Sequence, residues 1–248
     1  MAGLTDSLAI ETVGLTRRFG AITAVDRLSL RVDRGDSVAL FGPNGAGKTT
    51  LMRMLTLNLR PSEGSFTIGG YDPREKDLEI RRRIGVISHQ SYLYDDLTAR
   101  QNLEFFARLY GVADPTARAE ALLADVGLTP RADDPVRAFS RGMQQRVSLV
   151  RALVHDPQIV LLDEPFTGLD PHAARTLRSM LDSLREKGRT VFLVTHNLAR
   201  GLELTDRWLV LSRGRIVEEG RSAETDHAAF ESRYFHHAES RPAAGARR

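Results

Sequence analysis

Apolar and polar positions alternate through "LAIETVGLTRRF" and "LSLRV", with turn-like residues between them, and this predicts short strands over residues 8–34. "SVALF" at 37–41 is instead solidly apolar, as a strand covered on both faces requires, and runs straight into a Gly-rich turn. "TTLMRMLTL" then has helical spacing, and "SFTIGG" reads as another strand and turn. Residues 72–138 are expected to be mostly helical, with amphipathic stretches "LTARQNLEFFARLYG" and "ARAEALLADVG" that each close on Gly. The α/β pattern returns from residue 140: a helix at 143–154, the strand "QIVLL", a helix at 172–187, the strand "TVFLVT", a short helix and the strand "RWLVL". Strands alternating with helices predict a largely parallel sheet covered on both faces, with the helical block inserted between its halves. Periodicity fades from Ser222, so a single domain over 1–222, with a helical subdomain at about 90–140, is expected to be followed by a mobile tail at 223–248.

Composition narrows the class. A chain of 248 residues that is 42% apolar and 27% charged is an ordinary globular one. A net charge of only +3 argues against a partner held mainly through nucleic-acid phosphates, and no nucleic acid is expected. The chain has no cysteine, which excludes thiolate metal sites and fits a reducing cytosol. No run approaches the ~20 apolar residues that span a bilayer, and "MAGLTDSLAI" lacks the basic and apolar regions of a signal peptide. If the chain acts at a membrane, a partner must carry the spans.

Only three of the 35 basic residues are lysines, and one of them, Lys48, lies in "GPNGAGKTT". This stretch fits G-x-x-x-x-G-K-[ST] between a predicted strand and a predicted helix, the context that a phosphate-binding loop needs. Gly42, Pro43, Asn44, Gly45, Ala46 and Gly47 would curl so that backbone N–H groups face an anion at a helix N-terminus. Lys48 would supply a compact charge to the β- and γ-phosphates, Thr49 a hydroxyl to Mg²⁺, and Thr50 a hydroxyl near the α-phosphate. "QIVLLDEP" places Asp163 and Glu164 at the C-terminal end of a buried strand, where open α/β sheets bind ligands. Asp163 would hold Mg²⁺ through water, and Glu164 would polarise the attacking water. His196 closes "TVFLVTH" at another strand end, placed to meet the γ-phosphate and the water. In "FSRGMQQR", Ser140 reads as an N-cap residue before a helix.

Taken together, "GPNGAGKTT", "IVLLDE", "TGLD" and the His after the third strand resemble the nucleotide-binding subunits of ATP-binding-cassette transporters, over roughly residues 8–220. The resemblance implies a P-loop NTPase core with an N-terminal antiparallel β subdomain and an inserted α-helical one, and it implies ATP and Mg²⁺. It makes "FSRGM" the counterpart of the family's L-S-G-G-Q signature, departing at Phe139, Arg141 and Met143. Ser140 and Gly142 are retained, the two that in the family meet the γ-phosphate bound by the opposite subunit. Asp170 belongs to the D-loop. Phe19 resembles the aromatic that stacks on adenine, with a core Phe as the alternative. Gln90 resembles the loop Gln that reaches Mg²⁺, with His89 as a competitor for that role.

The implied partners are integral membrane permease subunits and a second copy of the chain or a homologous ATPase, at the cytoplasmic face of the membrane. Wording between the motifs, such as "SHQSYLYDDLTARQNLEFFARLYG", resembles haem-exporter ATPases of cytochrome c maturation. ATPases for drug or polysaccharide export share similar phrases and stand as the alternative.

Overall fold

The computed structural model describes residues 7–88 and 91–239. Strands β1 (Leu8–Phe19) and β2 (Ile22–Asp33) pair antiparallel, and β4 (Glu63–Ile68) joins the other edge of β1. The expectation was of short strands, whereas β1 and β2 each run for 12 residues. Their pairing shifts register between Thr12 and Leu15 and again between Leu15 and Arg17. A bulge flips the face on which later side chains fall, so one long strand reads along the chain as fragments.

The larger sheet has the order β5-β6-β7-β3-β8-β9. β5 (Ile84–Ile87), β6 (Ile159–Asp163), β7 (Thr190–Val194), β3 (Ser37–Phe41) and β8 (Arg207–Ser212) are parallel, and β9 (Arg215–Arg221) closes one edge antiparallel. β3 and β7 are buried at every position, which explains their unbroken apolar runs. β5 was not expected within the mostly helical 72–138. It is only four residues long behind three arginines, so no period shows. Its Gly85 lets the end of the next layer approach, because a Cβ there would press on the Ala152 carbonyl.

Helix α1 (Lys48–Leu55) leaves the end of β3 and packs Leu51, Met54 and Leu55 between the two sheets. After the short α2 (Asp77–Arg81), α3 (Ala99–Leu109) starts at a capping box, with Thr98 accepting from Gln101 N and the Gln101 side chain returning to Thr98 N. α4 (Pro115–Asp125) follows, capped by Asp114. These two helices form their own core with α5 (Arg141–Ala152) around Leu103, Leu122, Leu123 and Phe139. The expected boundary at 140 thus falls on the N-cap of α5, a helix that serves both bodies. Val147 and Val150 pack into the helical core, while Leu149 and Ala152 pack onto the large sheet beside α6 (Pro171–Glu186).

Beyond residue 222 the expectation of a mobile tail is corrected over the described residues. After the short α7 (Leu198–Leu204), α8 (His227–Glu239) lies on the sheet, with Phe230 fully buried against Phe41 and Trp208 and with Tyr234 buried beside them. Two buried aromatics four residues apart suffice to anchor a helix, yet they leave little periodicity in a stretch otherwise polar. Among the described residues, no helix is long and apolar enough to cross a membrane.

Where α5 ends, His155 stacks on Tyr110 with 3.9 Å between ring centres and places Nε2 3.0 Å from the Ile84 carbonyl. Burial, helped by the nearby Arg151 and Arg118 charges and opposed by the Ile84 bond and Asp156, pushes its pKa down to about 4 from the ordinary 6.5. Between those values the unfolded chain binds a proton that the folded chain does not. Stability is therefore expected to fall as pH drops from about 6.5 to about 4, by at most about 3 kcal/mol from this group. Urea midpoints across that interval should move more for wild type than for His155→Phe, which keeps the stack without the proton. Equal slopes would refute the assignment.

Candidate active site

The loop between β3 and α1 needs glycine at two places for steric reasons. A Cβ on Gly42 (φ 157°) would collide with the Leu211 carbonyl, and one on Gly47 (φ 108°) with the Ala24 carbonyl. β8 and β2 thus hold the loop from behind. Gly47 is the N-cap of α1 and brings no side-chain cap, so the first turn presents its N–H groups outward, around Asn44, Gly45 and Thr49, which are exposed. Gly42 and Ala46 are the buried residues of the loop, and Ala46 lies under Gly42. Lys48 is folded back over the loop, with Nζ donating to Gly42 O at 2.5 Å and Pro43 O at 3.0 Å. Burial lowers its pKa, against the opposing pull of the negative charges on Glu164 and Asp163. Both carboxylates therefore act on the lysine through charge. Thr50 lies one position further into α1, partly buried.

The register of β6 against β7 sets Asp163 beside Val194, so two strand ends deliver their next residues side by side. Glu164 then takes a left-handed conformation (φ 49°) with its N–H donating to Val194 O at 2.9 Å. For a non-glycine this conformation is strained, and it is held here by that bond. It turns the carboxylate toward the following segment. Oε2 accepts from Thr195 Oγ1 at 3.3 Å and lies 2.9 Å from His196 Nδ1. His196 is mostly exposed and Glu164 about a quarter, so the pair opens outward. Thr195 was not among the predicted site residues. Its signal was its place before His196 in "VTH".

Ser140 caps α5 as predicted, its Oγ accepting from Met143 N at 3.3 Å. The structure joins this segment to the D-loop. Asp170 caps α6 through Ala173 N at 2.8 Å, and its other oxygen lies against Gly142 so closely that a Cβ there would collide. Arg141 reaches over Gly168, its guanidinium 3.2 Å from where a Cβ would stand. The structure thus brings Gly142 together with Asp170, and Glu164 together with His196, while Glu164 and Asp163 act on Lys48 through charge. Phe19 is 45% exposed at the tip of β1, with the Arg17 guanidinium 4.7 Å from its ring centre, which removes the core alternative. Gln90 and His89 lie outside the described residues.

A loop of free N–H groups with a lysine, a carboxylate pair behind it and a histidine on one carboxylate can hold polyphosphate and activate water beside it. The comparisons point to the same chemistry. The family model described as ABC transporter matches residues 25–167. The chain is 40% identical to the daunorubicin resistance ATP-binding protein DrrA3 of Streptomyces coeruleorubidus, over 87% of this chain and 69% of that protein. It is 39% identical to the Nod factor export ATP-binding protein I of Ralstonia nicotianae, over 90% of this chain and 69% of that one. An ATP-binding cassette solved as a dimer in a post-hydrolysis state with ADP and Pi superposes with a TM-score of 0.75 at 28% identity, covering 86% of this chain and 98% of that one. Its fold, its phosphate loop and these relatives make the chain a member of the ABC transporter family, an ATP-hydrolysing subunit.

Proposed function

We propose that the chain powers an exporter of drug-like or saccharide cargo, closing with a second copy over two ATP molecules while docked on a membrane partner. One observation carries the reading: Ser140 and Gly142 stand at the start of α5, with Gly142 against Asp170, whereas the phosphate loop stands at the start of a different helix, α1. In a pair of chains, the P-loop group of one would meet Ser140 and Gly142 of the other, whose cap hydroxyl and helix N–H groups suit a γ-phosphate. Asp170, against Gly142, would lie at the seam. Phe19 offers an open ring face to adenine. Glu164 would act as general base on water, with His196 and Thr195 fixing its carboxylate.

The residues fit Mg²⁺ in donor chemistry, since the Thr49 hydroxyl and the Asp163 carboxylate are hard oxygen ligands near Lys48, and Gln90 would be a third. Among the described residues no group of three or more acids or histidines is placed to hold a metal unaided, which suits an ion that completes its shell with water and phosphate oxygens. When bound, it would neutralise charge on the β- and γ-phosphates.

The wording that resembles haem exporters finds no support in the relatives' names, which speak of drug resistance and Nod factor export and favour the alternative. For docking, "SYLYDDL" opens the helical subdomain, and its Tyr92 and Tyr94 are each 51% exposed. Tyr94 meets Phe105 edge-on at 5.2 Å. An aromatic centre with polar neighbours suits a short helix of a membrane subunit.

The test uses inverted vesicles holding the chain and its membrane subunit. ATP-driven uptake of daunorubicin, and none of haem, is the expected result; uptake of haem alone would reverse the cargo assignment. Tyr92→Ala with Tyr94→Ala should remove uptake and co-purification, with ATPase activity of the isolated chain and its melting temperature near wild type. Full co-purification of that folded variant would move the docking site elsewhere.

A further inference from the structure

Among the described residues, a cation in the cleft between the helical subdomain and the large sheet has no counter-ion. Arg151 stands in the last turn of α5, partly buried. Its Nη2 donates to Val86 O at 3.3 Å, and its Cζ lies 5.0 Å from the Phe106 ring centre and 5.4 Å from that of Tyr92. Its Nε is enclosed and finds no acceptor. Among the described residues Arg151 forms no ion pair, and only the Tyr110 and Tyr92 hydroxyls favour its charge against burial. The carbonyl end of α5 and two ring faces compensate it in part. That is a modest return for a guanidinium withdrawn from water, where other arginines of this chain pair with carboxylates.

Arg151 lines a cavity of about 210 Å³ together with Arg81, His155, Asn58 and Thr56. Arg151 is the one unpaired charge among the described residues lining this space, since Arg81 pairs with Asp77 and burial keeps His155 neutral. Among the described residues, none that lines it is acidic. His155 Nδ1 is also enclosed without a partner. With Nε2 donating to Ile84 O, Nδ1 is an acceptor, matched to a backbone or hydroxyl donor. Beside the cavity lies the exposed aromatic surface of Tyr92 and Tyr94, continued along α3 by Phe105 and, one turn on, Leu109. The combination fits a short amphipathic helix with an acidic side chain among apolar ones.

We propose that this cavity receives a carboxylate of the membrane partner's cytoplasmic helix, with Arg151 as its counter-ion. The inference rests on the reading that the Tyr92–Tyr94 surface faces that partner. The ion pair would form only on docking, and it would tie the partner to α5, the helix whose other end carries Ser140 and Gly142.

The experiment compares complexes of the full chain with its membrane subunit. Arg151→Met keeps the apolar stem and removes the charge. It should weaken the complex at least about tenfold, with basal ATPase activity and melting temperature near wild type. Arg151→Lys should retain part of the affinity. Arg151→Asp should lose it, and one Asp or Glu on a cytoplasmic segment of the partner, changed to Lys, should restore it. Full-strength complexes with both Arg151→Met and Arg151→Asp, while Tyr92→Ala with Tyr94→Ala dissociates, would overturn the ion pair and leave the docking surface standing. Full-strength complexes with every variant would remove the docking surface itself. If millimolar inorganic phosphate raises the melting temperature of the isolated wild type but not of Arg151→Met, the cavity takes a free anion and the proposal is overturned.

Discussion

Glu164→Gln is expected to slow ATP hydrolysis by about 10²–10⁴-fold while leaving MgATP affinity within a few-fold of wild type, the range that a positioned general base supplies. The carboxamide is isosteric and can still accept from Thr195 Oγ1, so the strained turn at Glu164 should survive with its bond to Val194 O. What it cannot do is take a proton from water. The His196 contact at 2.9 Å changes character as well, from one with an anion to one with a neutral amide. Because binding persists without turnover, ATP should hold the variant as a dimer on a sizing column, one P-loop group closed on the other chain's Ser140 and Gly142. Hydrolysis at the wild-type rate would dismiss Glu164 as the base. Full steady-state activity in a strictly monomeric preparation would dismiss the shared site.

Lys48→Ala is expected to lose both binding and turnover, with the Kd for MgATP rising on the order of 10²-fold, as for loss of a charge-assisted contact of about 3 kcal/mol. Lys48 spends its charge on two carbonyls of its own loop, so the loop is already shaped around an ammonium. Arg at this position should not rescue. A planar fork does not fit where Nζ meets Gly42 O and Pro43 O, and this distinction suits a chain that otherwise uses Arg for nearly all its cations. Folding should be unaffected, since removing a partly buried ammonium relieves desolvation. Fluorescent-nucleotide titration reads the affinity, and a Kd within threefold of wild type would remove Lys48 from the phosphate site.

The fold class and most of the site were legible along the chain because both are written locally. A P-loop is a run of eight consecutive residues whose neighbours are a strand and a helix, and "GPNGAGKTT" places Gly42 and Gly47 where Leu211 and Ala24 leave no room for a side chain. The central strands showed themselves as unbroken apolar runs because both their faces are covered. Caps did the same for helices: Ser140 and Asp170 are side chains that bond within three residues of themselves. β5 and α8 escaped notice for the opposite reason. Four residues hold too little period to reveal β5, and α8 is anchored by two aromatics whose partners, Phe41 and Trp208, are distant in sequence.

What sequence by itself determined is therefore the set of short-range features: the phosphate loop, the acids at the end of β6, the capped helices and the α/β order. Only the tertiary structure decided which of these meet. The strand order brings Glu164 to His196 through the β6–β7 register and sets Gly142 against Asp170. It also leaves Arg151 beside ring faces without an ion pair among the described residues. Periodicity and capping are governed by bonds a few residues long, whereas charge pairing and strain depend on distances through space, which the linear order of residues does not contain.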